Sequence, residues 1–181
     1  SIAGPKSQEL INAVLDQPIT SDTFPFMSCA SIGVLGEVGR LFRISFSGEH
    51  GYEIAVPSRY GESLFRLLVS RAEEIGGGPY GMEALNVLRL EKGFITHAEI
   101  HGRVTAFDLG MERMVSKKKD CIGKTSAARP GLLDNEREQL IAIKPVGPIK
   151  QIVAGAHLFD LNDMSHNSTG PVVSISMLLF R

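Results

Sequence analysis

Apolar and polar positions alternate most clearly across residues 40–57, which read R-L-F-R-I-S-F-S-G-E-H-G-Y-E-I-A-V-P. Phe42, Ile44 and Phe46 alternate with Arg43, Ser45 and Ser47, and Tyr52, Ile54 and Val56 alternate with Glu53 and Ala55. A period of two predicts two strands, here joined by a glycine-bracketed turn. With both apolar sets facing one core, Phe46 pairs with Tyr52 and Ile44 with Ile54, leaving Gly48 or Gly51 free to take positive φ. That register sets Ser45 opposite Glu53 on the other face, with Arg43 as the carboxylate's diagonal neighbour. Residues 31–35 form a further strand, which turns at Gly36-Glu37-Val38-Gly39 into this hairpin, so the region is an antiparallel meander.

Helical periodicity flanks the meander. Residues 5–17 predict a helix with Pro5 at its first position and Leu10, Ile11, Val14 and Leu15 as the buried stripe. Residues 58–75 predict a second, capped by Ser58, with Leu64, Phe65, Leu68, Ala72 and Ile75 on one side and an outward Glu62–Arg66 pair. Residues 81–92 predict a third, stopped by Gly93, with Glu83, Asn86, Arg89 and Lys92 on a polar face and Met82, Leu85 and Leu88 buried. Further on, residues 139–144 and 152–158 read as strands, 162–170 as a polar turn region, and the last ten residues as an apolar strand. The fold class is therefore α+β, an antiparallel sheet with helices on one face.

Composition narrows the chemistry. The chain has 181 residues, a net charge of −1, 43% apolar and 22% charged content. That is enough for a sizeable core in one or two domains, and it carries no electrostatic footprint for nucleic acid. Cys29 and Cys121 make no disulfide framework or C-x-x-C motif and read as small core residues in a reducing, cytoplasmic compartment. No apolar run approaches the roughly 20 residues of a membrane helix, and no membrane association is expected. His97 and His101 are spaced for one helical face, but no third ligand accompanies them, so no metal site is expected. Gly76-Gly77-Gly78 is not followed by G-x-x-x-x-G-K-[ST], and Gly123-Lys124-Thr125 has Lys118 where that motif needs its first Gly. Lys117-Lys118-Lys119 reads as a solvated turn. The start lacks an initiator Met and the end lacks a polar tail, which reads as a segment cut from a longer chain.

The run R-x-x-F-S-G-E-H-G-Y-E at residues 43–53 resembles the R-x-x-Y-[TS]-G-E-x-G-x-E signature of the aminomethyltransferase family, the glycine-cleavage T-proteins and their relatives. The A-G-P-K-S of residues 3–7 is similar to the family's G-P-K-A segment, and G-M-E-A-L-N-V-L-R-L-E-K-G-F at 81–94 resembles its G-x-x-A-R-D-x-L-R-L-E-x-G. Two departures stand out: Phe46 replaces the family Tyr, and Leu85 replaces an Arg that helps hold folate. The L-N-V-L-R-L-E-K-G-F, V-T-A-F-D-L-G-M and D-C-I-G-K runs are most similar to the branch found at the C-terminal end of heterotetrameric sarcosine oxidase α subunits.

The resemblance implies a T-protein-like α+β folate-binding portion over residues 1–130, whose first half would lie upstream, and part of a small C-terminal β-barrel over 131–181. It implies tetrahydrofolate as the ligand here, held by Glu53, Phe46, Arg43 and Arg89, with a catalytic acid/base upstream of Ser1. Sarcosine would be demethylated at a flavin centre elsewhere, with FAD, FMN and NAD outside this portion, and the one-carbon unit captured as 5,10-methylenetetrahydrofolate. Partners would be the upstream part of the same subunit and the other oxidase subunits. The isolated segment would be inactive and would self-associate. A T-protein proper is the alternative enzyme; a non-catalytic binding or assembly module, favoured by Leu85 and Phe46, is the alternative of another class.

Overall fold

A computed structural model describes residues 1–134, 136–143, 147, 156–159 and 168–171. The chain divides into two compact units, Ser1–Phe94 and Ile95–Arg181. The first unit is α+β. Strands β1 (Ile2–Ala3), β2 (Cys29–Val34), β3 (Glu37–Phe42) and β4 (Gly51–Ala55) form an antiparallel sheet in the order β1-β4-β3-β2. Helices α1 (Ser7–Asn12), α2 (Gly61–Glu74) and α3 (Met82–Lys92) belong to the same unit.

The expected meander is present, with different joints. Its first turn is the two-residue Leu35-Gly36 link between paired Val34 and Glu37, not the 36–39 stretch. Both central residues have positive φ, 52° at Leu35 and 81° at Gly36, the handedness of a type I′ hairpin whose twist matches its strands. In the second hairpin Arg40 pairs with Ala55, Leu41 with Ile54 and Phe42 with Glu53. This corrects the expected Ile44–Ile54 and Phe46–Tyr52 register by an odd step, and an odd step exchanges the faces. Leu41, Tyr52 and Ile2 therefore point to the core, where they join Ile11, Val14, Leu15, Val34 and Leu64. Glu53 shares the opposite face with Phe42.

The helices also need correction at their edges. Helix α1 stops at Asn12, whose side chain brackets Ile19 by donating to its carbonyl and accepting from its N–H, each at 2.9 Å. Val14 and Leu15 are buried as expected, but beyond the helix, where Leu15 bridges to Val34. Ser58 opens a 3₁₀ turn and does not cap α2 through its side chain. Phe65, expected on the buried side of α2, is 61% exposed, while Leu67 packs against the core. Helix α3 ends at Gly93 as expected, with φ 79°. Its Met82 is exposed, however, and Arg89, expected on the polar face, is buried. Cys29 and Cys121, read as core residues, are both exposed.

In the second unit, a short helix α4 (Lys124–Ala127) and the strand pair β5 (His157–Phe159) with β6 (Ser168–Pro171) are described. Residues 139–143 carry no strand, and β6 occupies part of the stretch expected as turn. The expected final strand and most of the expected barrel lie outside the described residues. Among the described residues no helix is long and apolar enough to cross a membrane.

Candidate functional site

The residues singled out at 43–53 sit on a connection and the strand it feeds. Pairing of β3 with β4 ends at Phe42–Glu53, and residues 43–50 leave the sheet before the chain returns as β4. The return is anchored at His50. Its carbonyl accepts from Gly4 N–H at 2.8 Å and from the Ser7 hydroxyl at 2.9 Å, and its Nδ1 lies 2.8 Å from the same hydroxyl. Its ring meets Tyr52 edge-on at 5.4 Å. Loss of solvation, and then the nearby Arg43 charge, hold the His50 pKa below its ordinary 6.5. Burial raises the Tyr52 phenol, against the opposing pull of Arg43.

Gly51 is the next joint. A Cβ there would stand 2.8 Å from the Ile2 carbonyl oxygen, so only glycine lets β1 and β4 come this close. Arg43, which the expected register set beside Glu53, is instead buried with 8% exposure. Its Nη1 donates to the Gly51 carbonyl at 3.0 Å, and its guanidinium carbon lies 5.0 Å from the centroid of the Tyr52 ring. No ion pair joins Arg43 to Glu53; the two are on opposite faces.

Glu53 itself is half-buried, and among the described residues no hydrogen bond or ion pair reaches its carboxylate. A partly desolvated carboxylate with open lone pairs on a rigid strand is suited to accept paired N–H donors from a planar ligand. Phe46 stacks on Phe94 at 6.2 Å between centroids, and both residues stay partly exposed. Arg89 fixes the same Phe94 from the helix side. Its Nη1 donates to the Phe94 carbonyl at 3.1 Å and its Nε to Asn86 Oδ1 at 2.8 Å. Gly48, with φ 82°, lies over Lys92 near the end of α3, so the 43–50 connection and α3 form one assembly. The structure thus joins Phe46 and Arg89 through Phe94, and places Arg43 behind the strand that carries Glu53. Leu85, in the position of the family's Arg, is half-buried on α3.

Sequence reasoning missed Ser7, His50 and Phe94 as supports. His50 lay inside the quoted signature, but nothing local pointed to a serine 43 residues away. A second omission had a readable signal. Thr96 and Glu99, and Thr105 and Asp108, repeat a T-x-x-[ED] spacing that suits a capping-box turn. In each, the Thr N–H donates to the carboxylate at 2.7 Å. Asp108 also takes Arg137 in a fork, Nε at 2.9 Å and Nη2 at 2.6 Å. Hydrogen bonding from Arg137 is the main reason the Asp108 pKa falls to about 2. His97 lies in a turn and His101 just before the next one, and among the described residues no group of three or more His, Cys, Asp or Glu is placed to hold a metal ion.

Comparison with known proteins follows the same residues. The family model described as "GCVT N-terminal domain" matches residues 1–119. Sarcosine oxidase subunit alpha of Rhizobium meliloti (strain 1021) is 42% identical over 161 residues, 87% of this chain and 16% of that protein. Mitochondrial dimethylglycine dehydrogenase of Mus musculus is 30% identical over 126 residues, 68% of this chain and 14% of that protein. Aminomethyltransferase of Thermoanaerobacter sp. (strain X514) is 29% identical over 126 residues, 68% of this chain and 34% of that protein. The chain thus spans about a sixth of the length of the sarcosine oxidase subunit it matches.

Proposed function

Because the chain belongs to the GCVT N-terminal domain family, we propose that it is the folate-binding, one-carbon-transfer portion of a sarcosine oxidase α subunit. The ligand is tetrahydrofolate, whose two amine nitrogens would capture the one-carbon unit released when sarcosine is oxidised to glycine elsewhere in the parent complex. Flavins and NAD would belong to that other part, and the acid/base residue to sequence upstream of Ser1. The single observation that carries the reading is the half-buried carboxylate of Glu53 on β4, which has no partner among the described residues, in the full S-G-E-H-G-Y-E context. A pterin presents an amino group and a ring N–H side by side, and one carboxylate accepts both in a plane.

Phe46 and Phe94 are partly exposed aromatic residues beside which a flat ring could lie, and Arg89 holds the Phe94 backbone through its carbonyl. The wider activity rests on the relatives' names, since similarity of fold does not establish function. Partners would be the upstream part of the subunit and the other oxidase subunits. Self-association of the isolated chain would follow from leaving bare the apolar surfaces that meet those partners. A second reading, a binding or assembly module without turnover, is favoured by Leu85 standing where the family has Arg.

Titration of 5-formyltetrahydrofolate into the full-length parent subunit, as wild type and as Glu53→Gln, tests the assignment. Each charge-assisted bond contributes about 1.5–3 kcal/mol, so affinity should fall at least about tenfold, ~1.4 kcal/mol, with thermal stability nearly unchanged. Equal affinity in the variant overturns the folate assignment of this strand.

A further inference from the structure

We propose that Arg43 is a positioning residue for Glu53, acting from behind the sheet, and not a ligand contact; this rests on the folate reading above. Where the β3–β4 ladder runs out at Phe42–Glu53, the Arg43 backbone turns to the other side. Its N–H donates to the Ser28 carbonyl at 2.9 Å and its carbonyl accepts from Met27 N–H at 2.9 Å. The side chain reaches back instead. Nη1 donates to the Gly51 carbonyl at 3.0 Å, in place of the next rung that β3 no longer supplies, and the guanidinium carbon lies over the Tyr52 ring. Gly51 and Tyr52 are the two residues that set the course of the chain into Glu53.

Two further observations separate this role from a general stabilising one. Among the described residues no carboxylate pairs with Arg43, and its Nε is buried without a hydrogen-bond partner. A buried cation so weakly compensated is a poor choice for stability alone, where an apolar side chain of similar volume does as well or better. And the Glu53 carboxylate has no partner of its own among the described residues, so its backbone alone aims it. Guanidinium suits the task because it is planar, weakly hydrated and able to stack and donate together.

The test is a double-mutant cycle on the full-length parent subunit, read as affinity for 5-formyltetrahydrofolate by calorimetric titration, with thermal unfolding recorded separately. If Arg43 works through Glu53, Arg43→Gln weakens binding about fivefold in the wild-type background and less than about twofold once Glu53→Gln is present. Arg43→Lys, which keeps a donor for Gly51, recovers most of the loss. Equal loss in both backgrounds, or no loss in either, overturns the inference while leaving the folate reading standing. Failure of the wild type to bind, or indifference to Glu53→Gln, overturns the folate reading and this inference with it. Should Arg43→Gln not fold, Arg43→Met, of similar length and without a donor for the Gly51 carbonyl, takes its place in the cycle, where a loss confined to the Glu53 background supports the role and its absence overturns it.

Discussion

The Phe46 ring stacks on the Phe94 ring with centroids 6.2 Å apart and planes inclined by 21°. One ring comes from the 43–50 connection and the other from the residue after the glycine that stops α3, so the contact fastens loop to helix. In a cycle of Phe46→Ala and Phe94→Ala, urea unfolding should give a coupling of about 0.5–1 kcal/mol, the lower part of the range for aromatic pairs because both rings are partly exposed. Strict additivity would mean the stack contributes nothing.

Gly51→Ala should destabilise the fold by about 1–3 kcal/mol, the usual penalty for overpacking a tight site. The added methyl meets the Ile2 carbonyl at 2.8 Å, and that carbonyl belongs to a paired strand that cannot swing aside. Gly61→Ala is the contrast. A Cβ at that position of α2 meets nothing within 4 Å, and φ there is −59°, so the change should stabilise by about 0.4–1 kcal/mol through the unfolded state. Melting temperatures of the two variants should move in opposite directions.

His50 makes stability depend on mild acid. Its folded pKa lies below 6.5, chiefly from burial and then from Arg43. Between the two values the unfolded chain binds more protons, so stability rises with pH there. The contribution is complete above pH 6.5 and is lost as pH falls toward the folded value. Denaturation midpoints of wild type should therefore decline on going below pH 6.5, and His50→Gln should flatten part of that decline. Parallel profiles for the two proteins would exclude His50 as the source.

Asp108 governs a lower window. Its pKa falls from 3.8 to about 2, chiefly through the hydrogen bonds from Arg137. The unfolded chain again binds more protons between these values, so the stabilisation is present above 3.8 and lost as pH drops toward about 2. Asp108→Asn removes the charge and breaks the fork, and should cost the second unit about 2 kcal/mol at neutral pH. Hydrogen exchange at Leu140, whose N–H donates to the Asp108 carbonyl at 2.8 Å, reports it locally. Unchanged protection there would show that the ion pair does not hold this segment.

Local pattern determined much of the first unit: the α+β class, the meander, helices α2 and α3 to within a few residues, the Gly93 stop, and the outward Glu62–Arg66 pair, which closes at 2.8 Å. Each depends on neighbours within about one helical turn or on strand alternation, and such information is contained in a short window. The S-G-E-H-G-Y-E run likewise marked where to look. Which face each residue took was decided only in the tertiary structure. Along residues 41–46, Leu41 and Arg43 form one alternating set and Phe42, Ile44 and Phe46 the other, and hydrophobicity favoured the second. The first went inside because the Leu35-Gly36 turn, the close approach of Ile2 at Gly51 and the Ser7–His50 contact fix the register from outside the hairpin. The same is true of Arg89, polar by spacing yet buried by its bonds to Asn86 and Phe94. A two-residue period has two equivalent phases, and only partners distant in sequence choose between them.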